Sequence, residues 1–175
     1  MKIIVICVLA ALMLASVSCS EQPGASATRR AASVDPCKLL TRDEAAAALN
    51  EQVGAPAQEN NNPDLMCTYA NAAADHNISV TTSTGSAAQK EFKAVNDLVA
   101  HDMAVEDIGD TAFISKLREI HVLAGDTYFA IRIKDDSPMA LPKTAGRELP
   151  PGADRLPQAT RDKLTAMARK AVARL

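Results

Sequence analysis

The stretch EIHVLAGDTYFAIRIK, residues 119–134, decides the fold. Ile120, Val122 and Ala124 fall at every second position, the pattern of a strand with one buried face. Gly125-Asp126 follows, with glycine first, as in the tight two-residue turns of hairpins. Phe129, Ile131 and Ile133 then alternate on a returning strand. Short turns join antiparallel neighbours, whereas parallel ones need crossovers of a dozen or more residues. An antiparallel sheet is therefore predicted.

Reading outward, MCTYA (66–70) and NISVTTST (77–84) are further strands, with Cys67 and Tyr69 on one face and Ile78 alternating with Val80. Gly54 to Glu59 is a short strand weakened by Pro56, ENNNPD (59–64) is a turn, and EDIGDTAFIS (106–115) turns at Gly109 into another strand. Between these groups Ala88, Phe92, Val95 and Val99 fall at helical spacing and predict an amphipathic helix over residues 87–101, opened by a capping box of Ser86 and Gln89. Ahead of them, DPCKLLTRDEAAAALN (35–50) carries a capping box in Thr41 and Glu44, a staple of Leu40 on Ala45, and a buried face of Ala45, Ala48 and Leu49. Residues 135–156 are rich in proline and read as an irregular loop. Leu164, Met167, Ala171 and Leu175 then mark a last helix, whose closing turns hold Arg169, Lys170 and Arg174, as the helix dipole favours. The predicted class is α+β: an antiparallel sheet with helices packed on one face, in the order helix, strands, helix, strands, helix.

The chain begins with Lys2, the apolar run Ile3 to Leu14, and the small residues Ala15 to Ser18. That order is the plan of a secretory signal, and the run is too short for a spanning helix, which takes about 20 apolar residues. Ser16-Val17-Ser18-Cys19 resembles the lipobox of bacterial lipoproteins, in which the cysteine is acylated and becomes the first residue. Ser20 to Ser33 are small or polar and read as a flexible tether. The expected organisation is a signal peptide at 1–18, a lipidated Cys19 and tether at 19–33, and one α+β domain at 34–175.

With 19 Lys and Arg against 21 Asp and Glu, the net charge is −2, which argues against nucleic acid, a ligand that calls for a basic stripe. Tryptophan is absent, so Phe92, Phe113, Phe129, Tyr69 and Tyr128 are the large pieces of a mostly aliphatic core. Of the four cysteines, Cys7 leaves with the signal and Cys19 takes the lipid. Cys37 and Cys67 remain in the exported domain, where an oxidising setting favours a disulfide. The alternatives are a metal pair, which needs more ligands than two distant cysteines, and a catalytic thiol.

DPCKLLTRDEAAAALN, then CTY at 67–69, IGDTAF at 108–113 and the alanine-rich end ARL together resemble a family of small bacterial envelope lipoproteins of unknown function, abundant in mycobacteria and their relatives. The likeness covers most of residues 35–134 and the last helix. It implies an exported α+β domain with Cys37 paired to Cys67, and no assigned reaction.

No residue set carries a catalytic signature. Asp97 and His101 stand four apart on the expected helix and can pair, half of a general-base arrangement, but no nucleophile motif accompanies them. A solvated histidine near a helix end is the plainer reading. His101-Asp102-Met103 is too contiguous for three ligands to converge. Asp75-His76 falls in a turn. His121 is expected on the solvent side, between Ile120 and Val122. Asn77-Ile78-Ser79 has the form of a glycosylation triplet only. Glu106, Asp107 and Asp110 lack the spacing of a calcium loop. The sequence thus implies no metal, no cofactor and no catalytic residue. Its expected role is a non-catalytic domain, exported and anchored through lipid on the outer side of the inner membrane or in the outer membrane. There it binds an envelope protein, a wall component or a small ligand. The alternative is a lipid-anchored envelope hydrolase.

Overall fold

The structure is a computed structural model that describes residues 33–61, 64–137 and 155–175. The expected signal at 1–18, Cys19 and all of the tether but Ser33 lie outside the described residues, as does most of the proline-rich stretch. Two short helices, α1 (Pro36–Leu39) and α2 (Arg42–Leu49), precede strands β1 (Ala57–Asn61), β2 (Asp64–Ala70) and β3 (Asn77–Thr84). Helix α3 (Ser86–Leu98) leads to β4 (His101–Val105), β5 (Thr111–Ser115), β6 (Glu119–Ala124) and β7 (Thr127–Lys134), and α4 (Gln158–Val172) closes the chain.

The strands form one antiparallel sheet in the order β1-β2-β3-β7-β6-β5-β4. Each half is a meander, and the two join where β7 returns beside β3, from Asn77↔Lys134 to Thr84↔Thr127. The hairpin that ordered the strands in the sequence is β6–β7, with Ala124 facing Thr127 and positive φ at Gly125.

The class is α+β, but the helices do not share one face. On one side Cys67, Tyr69, Ile78, Val80, Ile120, Phe129 and Ile131 pack with α1, α2 and α4 through Leu39, Ala45, Leu49, Leu164 and Met167. On the other, Ala88 and Phe92 of α3 pack on Phe113, Tyr128 and Ala130. The cause lies in β7: Tyr128 and Ala130, between the alternating Phe129, Ile131 and Ile133, are themselves apolar and buried, so this strand needs cover on both sides.

The expected five-block order is also corrected. The opening helix is two, parted at Leu40, whose backbone is extended. The middle helix ends at Leu98 rather than at 101, and residues 101–105 form an edge strand. Its N-cap is Gly85, at φ 69°, so Ser86 is already helical and makes no capping box with Gln89. The box at Thr41 and Glu44 forms in full.

Candidate functional site

The residues that carry the family resemblance build a clamp. Asp35 accepts a hydrogen bond from the Cys37 amide at 2.9 Å. Pro36 fills the first helical position, where a missing N–H costs nothing. Cys37 is bonded to Cys67, with Cα atoms 5.2 Å apart. Two residues on, the Tyr69 hydroxyl donates to the Leu40 carbonyl and lies 3.1 Å from that of Cys37. Burial, then the carboxylates of Asp35 and Glu44, raise the Tyr69 pKa and hold this donor protonated. Asp-Pro-Cys, Leu-Leu-Thr and Cys-x-Tyr therefore fasten α1 to β2 and leave no reactive group free.

The sequence IGD at 108–110 is likewise a joint. Ile108 is buried. The Asp110 amide donates to the Leu123 carbonyl at 2.8 Å, and the Asp110 carboxylate accepts from the Gly125 amide at 2.7 Å. This carboxylate caps the β6–β7 turn.

His76 lies apart from the other two histidines, whereas His101 and His121 both stack on Phe113, at 4.1 and 4.7 Å. His76 sits in the turn before β3, its Nδ1 2.5 Å from Glu51 and its Nε2 3.3 Å from Asp136. Glu51, then Asp136, raise its pKa. Asp97 pairs with Lys93 at 2.6 Å, while His101 Nε2 meets the Asn96 carbonyl at 3.0 Å, so the expected Asp97–His101 pairing does not form. Asp102 is turned away from His101: it accepts from the Leu156 amide at 2.9 Å, and its side chain is fully buried.

His121 is a correction. It is buried, not solvated. Its Nδ1 lies 2.9 Å from the Tyr128 hydroxyl and its ring stacks on Phe113 at 4.7 Å. Alternation put it on the face opposite Ile120, as expected, but α3 and the rings of Phe92, Phe113 and Tyr128 cover that face. Its Nε2 makes no well-formed hydrogen bond and stands 3.5 Å from the Glu119 carboxylate, a long contact at the limit of hydrogen-bond reach. Burial pushes the Glu119 pKa up, but His121 and Arg132 outweigh it and the net shift is down.

Helix α3 covers only half of its face. Beyond it, the residues Thr68, Ser79, Arg132 and Glu119 stand side by side across β2, β3, β7 and β6, and Arg132 is 3.1 Å from Glu119. The next row holds Asn77 opposite Lys134. Around these rows lies an open cleft of about 430 Å³, lined also by Met66, Leu117, Arg118 and Ile133. Among the described residues no carboxylate lines it. Arg118 is held through Nη1 by the Asp135 carboxylate and carbonyl and the Ser137 carbonyl, while its buried Nε has no partner.

Of the polar cleft residues, Asn77 and Ser79 were singled out in the sequence only as the ends of a glycosylation-like triplet, and Arg118, Arg132 and Lys134 not at all. The signal was present: Asn77 and Ser79 on β3, and Arg132 and Lys134 on β7, occupy the alternate positions that the apolar pattern skips. Among the described residues no three His, Cys, Asp or Glu side chains cluster closely enough to hold a metal ion. No described helix is long and apolar enough to cross a membrane. Comparison with known proteins finds no matching family model, curated protein or solved structure.

Proposed function

We propose that this chain is an exported, lipid-anchored envelope domain that binds a ligand without transforming it, through the half of the sheet that α3 leaves open. The observation that carries this reading is the cleft of about 430 Å³ beside α3, lined by three cations, three neutral polar side chains and the apolar side chains of Met66 and Leu117. Ligand sites pair apolar walls with a few placed polar groups in this way. Acid–base chemistry finds no support there. The cleft holds no histidine, and His121, under α3, is engaged by Tyr128. Export and acylation rest on the signal plan, the lipobox resemblance at Cys19, and a disulfide of the kind that persists in oxidising compartments. The likeness of the 35–50, 67–69 and 108–113 motifs to envelope lipoproteins points the same way.

The test is photo-crosslinking in the envelope. A benzophenone side chain replaces Leu117, exposed at the cleft, and in a second variant Gln52, exposed outside it. The reading expects a discrete adduct from position 117 alone. Identical adduct patterns from both positions, or none from 117, would overturn it.

A further inference from the structure

We propose that the cleft takes an amphipathic anion: a phosphoryl headgroup joined to an aliphatic chain. This rests on the binding reading above and names the ligand class. Ser79 faces Arg132, and Asn77 faces Lys134. Neighbouring strands stand about 4.8 Å apart, and same-face residues along one strand about 6.8 Å apart. The four donor side chains therefore rise from the corners of a rectangle roughly 5 by 7 Å, the scale of one tetrahedral oxyanion. Thr68 adds a hydroxyl beside Ser79.

The charge balance favours an anion. Arg118 is matched by Asp135 and Arg132 by Glu119, both carboxylates outside the lining. Lys134 is exposed and has no ion pair among the described residues, so within these the cleft lining holds one positive charge without a matching carboxylate. Arg132 is half exposed and its guanidinium retains donors beyond the Nε that meets Glu119. A fork of this shape suits phosphate oxygens. The headgroup does not account for the whole lining. Met66 flanks Thr68, and Leu117 is 44% exposed at the cleft rim. These two apolar side chains give an aliphatic chain somewhere to lie, which a free inorganic anion does not need.

The experiment follows backbone amide shifts of the folded domain on titration with monododecyl phosphate below its micellar concentration. Inorganic phosphate and neutral dodecyl maltoside serve as comparisons. Saturable shifts at Thr68, Ser79, Arg132 and Lys134 are expected, at least tenfold tighter for dodecyl phosphate than for either comparison. The double variant Arg132→Gln/Lys134→Gln, at exposed positions, should weaken binding about tenfold while melting like the parent. Ser79→Val, which keeps both charges, should weaken it less. If dodecyl maltoside binds as tightly, the anion inference falls while the binding reading stands. If no amphiphile shifts these amides, or the double variant binds like the parent, the inference is overturned. Given binding, sedimentation with phosphatidylglycerol vesicles assigns the source. Lys134-dependent pelleting means a bilayer headgroup; its absence means a dispersed amphiphile.

Discussion

Gly109 shows how a single residue sets the geometry of a whole joint. Its φ is +60°, and a Cβ there would stand 2.5 Å from the Leu123 carbonyl oxygen and 2.9 Å from a Val122 methyl. The left-handed backbone alone costs a non-glycine residue on the order of 1–3 kcal/mol. The contact with backbone oxygen has no flexible atom to yield. Gly109→Ala should therefore lower stability by at least that amount in denaturant melts and loosen the Asp110–Gly125 cap, read as faster amide exchange at Gly125. Gly125 has the same φ but nothing within 4 Å of an added Cβ, so Gly125→Ala meets backbone strain alone and should cost less. Equal losses at the two positions would contradict this account. Asn50, at φ 58°, is a residue that tolerates this region, and it ends α2 there with its amide turned to the Ala46 and Ala47 carbonyls.

Elements were legible wherever one periodicity acted alone. The Thr41–Glu44 box, the 88–92–95–99 stripe and the β6–β7 hairpin are local signals, and each stands in the structure. Three things were not local. His101–Val105 is an edge strand of mostly exposed residues held by β5, with a register shift at His101–Met103, so no burial alternation marks it. Gly85 takes the cap of α3 because the chain must turn out of β3 there, a demand that the Ser86–Gln89 pattern does not contain. The cleft arises from how far α3 reaches across the sheet, which no window of sequence states. Between elements, Arg174 past the end of α4 donates to both carboxylate oxygens of Glu44 at 2.8 and 2.7 Å, and to the Leu39 carbonyl. Arg174, with the Thr41 bonds, lowers the Glu44 pKa from 4.5 to about 2 against the opposing effect of burial. A carboxyl depressed in the fold stabilises it above the unfolded value and loses that contribution as pH falls through the folded one. The Glu44 contribution is thus whole above about pH 4.5 and gone below about pH 2. Arg174→Gln should move the acid-unfolding midpoint upward. The gap between variant and parent should narrow as pH drops through this window. A gap unchanged at pH 2 would show that Arg174 acts through the Leu39 carbonyl instead.

At the scale of the whole molecule, the disulfide and the expected anchor have separable consequences. Cys37 and Cys67 close a loop of sequence separation 30, for which the chain-entropy account gives about 3.5 kcal/mol. That is a large share of the 5–15 kcal/mol typical of a folded domain. The bond holds α1 against β2, and α1 also touches β3 and α4, so its loss is felt across the face that carries most of the core. Cys19 lies outside the described residues, and the pair is made by Cys37 and Cys67. Two variants of the full chain therefore part company. Cys19→Ala, exported, should appear in the soluble fraction without an acyl mass, with Cys37 and Cys67 linked in non-reducing peptide maps and melting unchanged. Cys37→Ala/Cys67→Ala should stay with the membrane through its acylated Cys19, yet melt roughly 10 °C lower. A soluble Cys37→Ala/Cys67→Ala variant would mean that membrane association runs through the folded face rather than the lipid. A membrane-bound Cys19→Ala variant, with no acyl group on the parent chain, would mean that Cys19 is not the anchor.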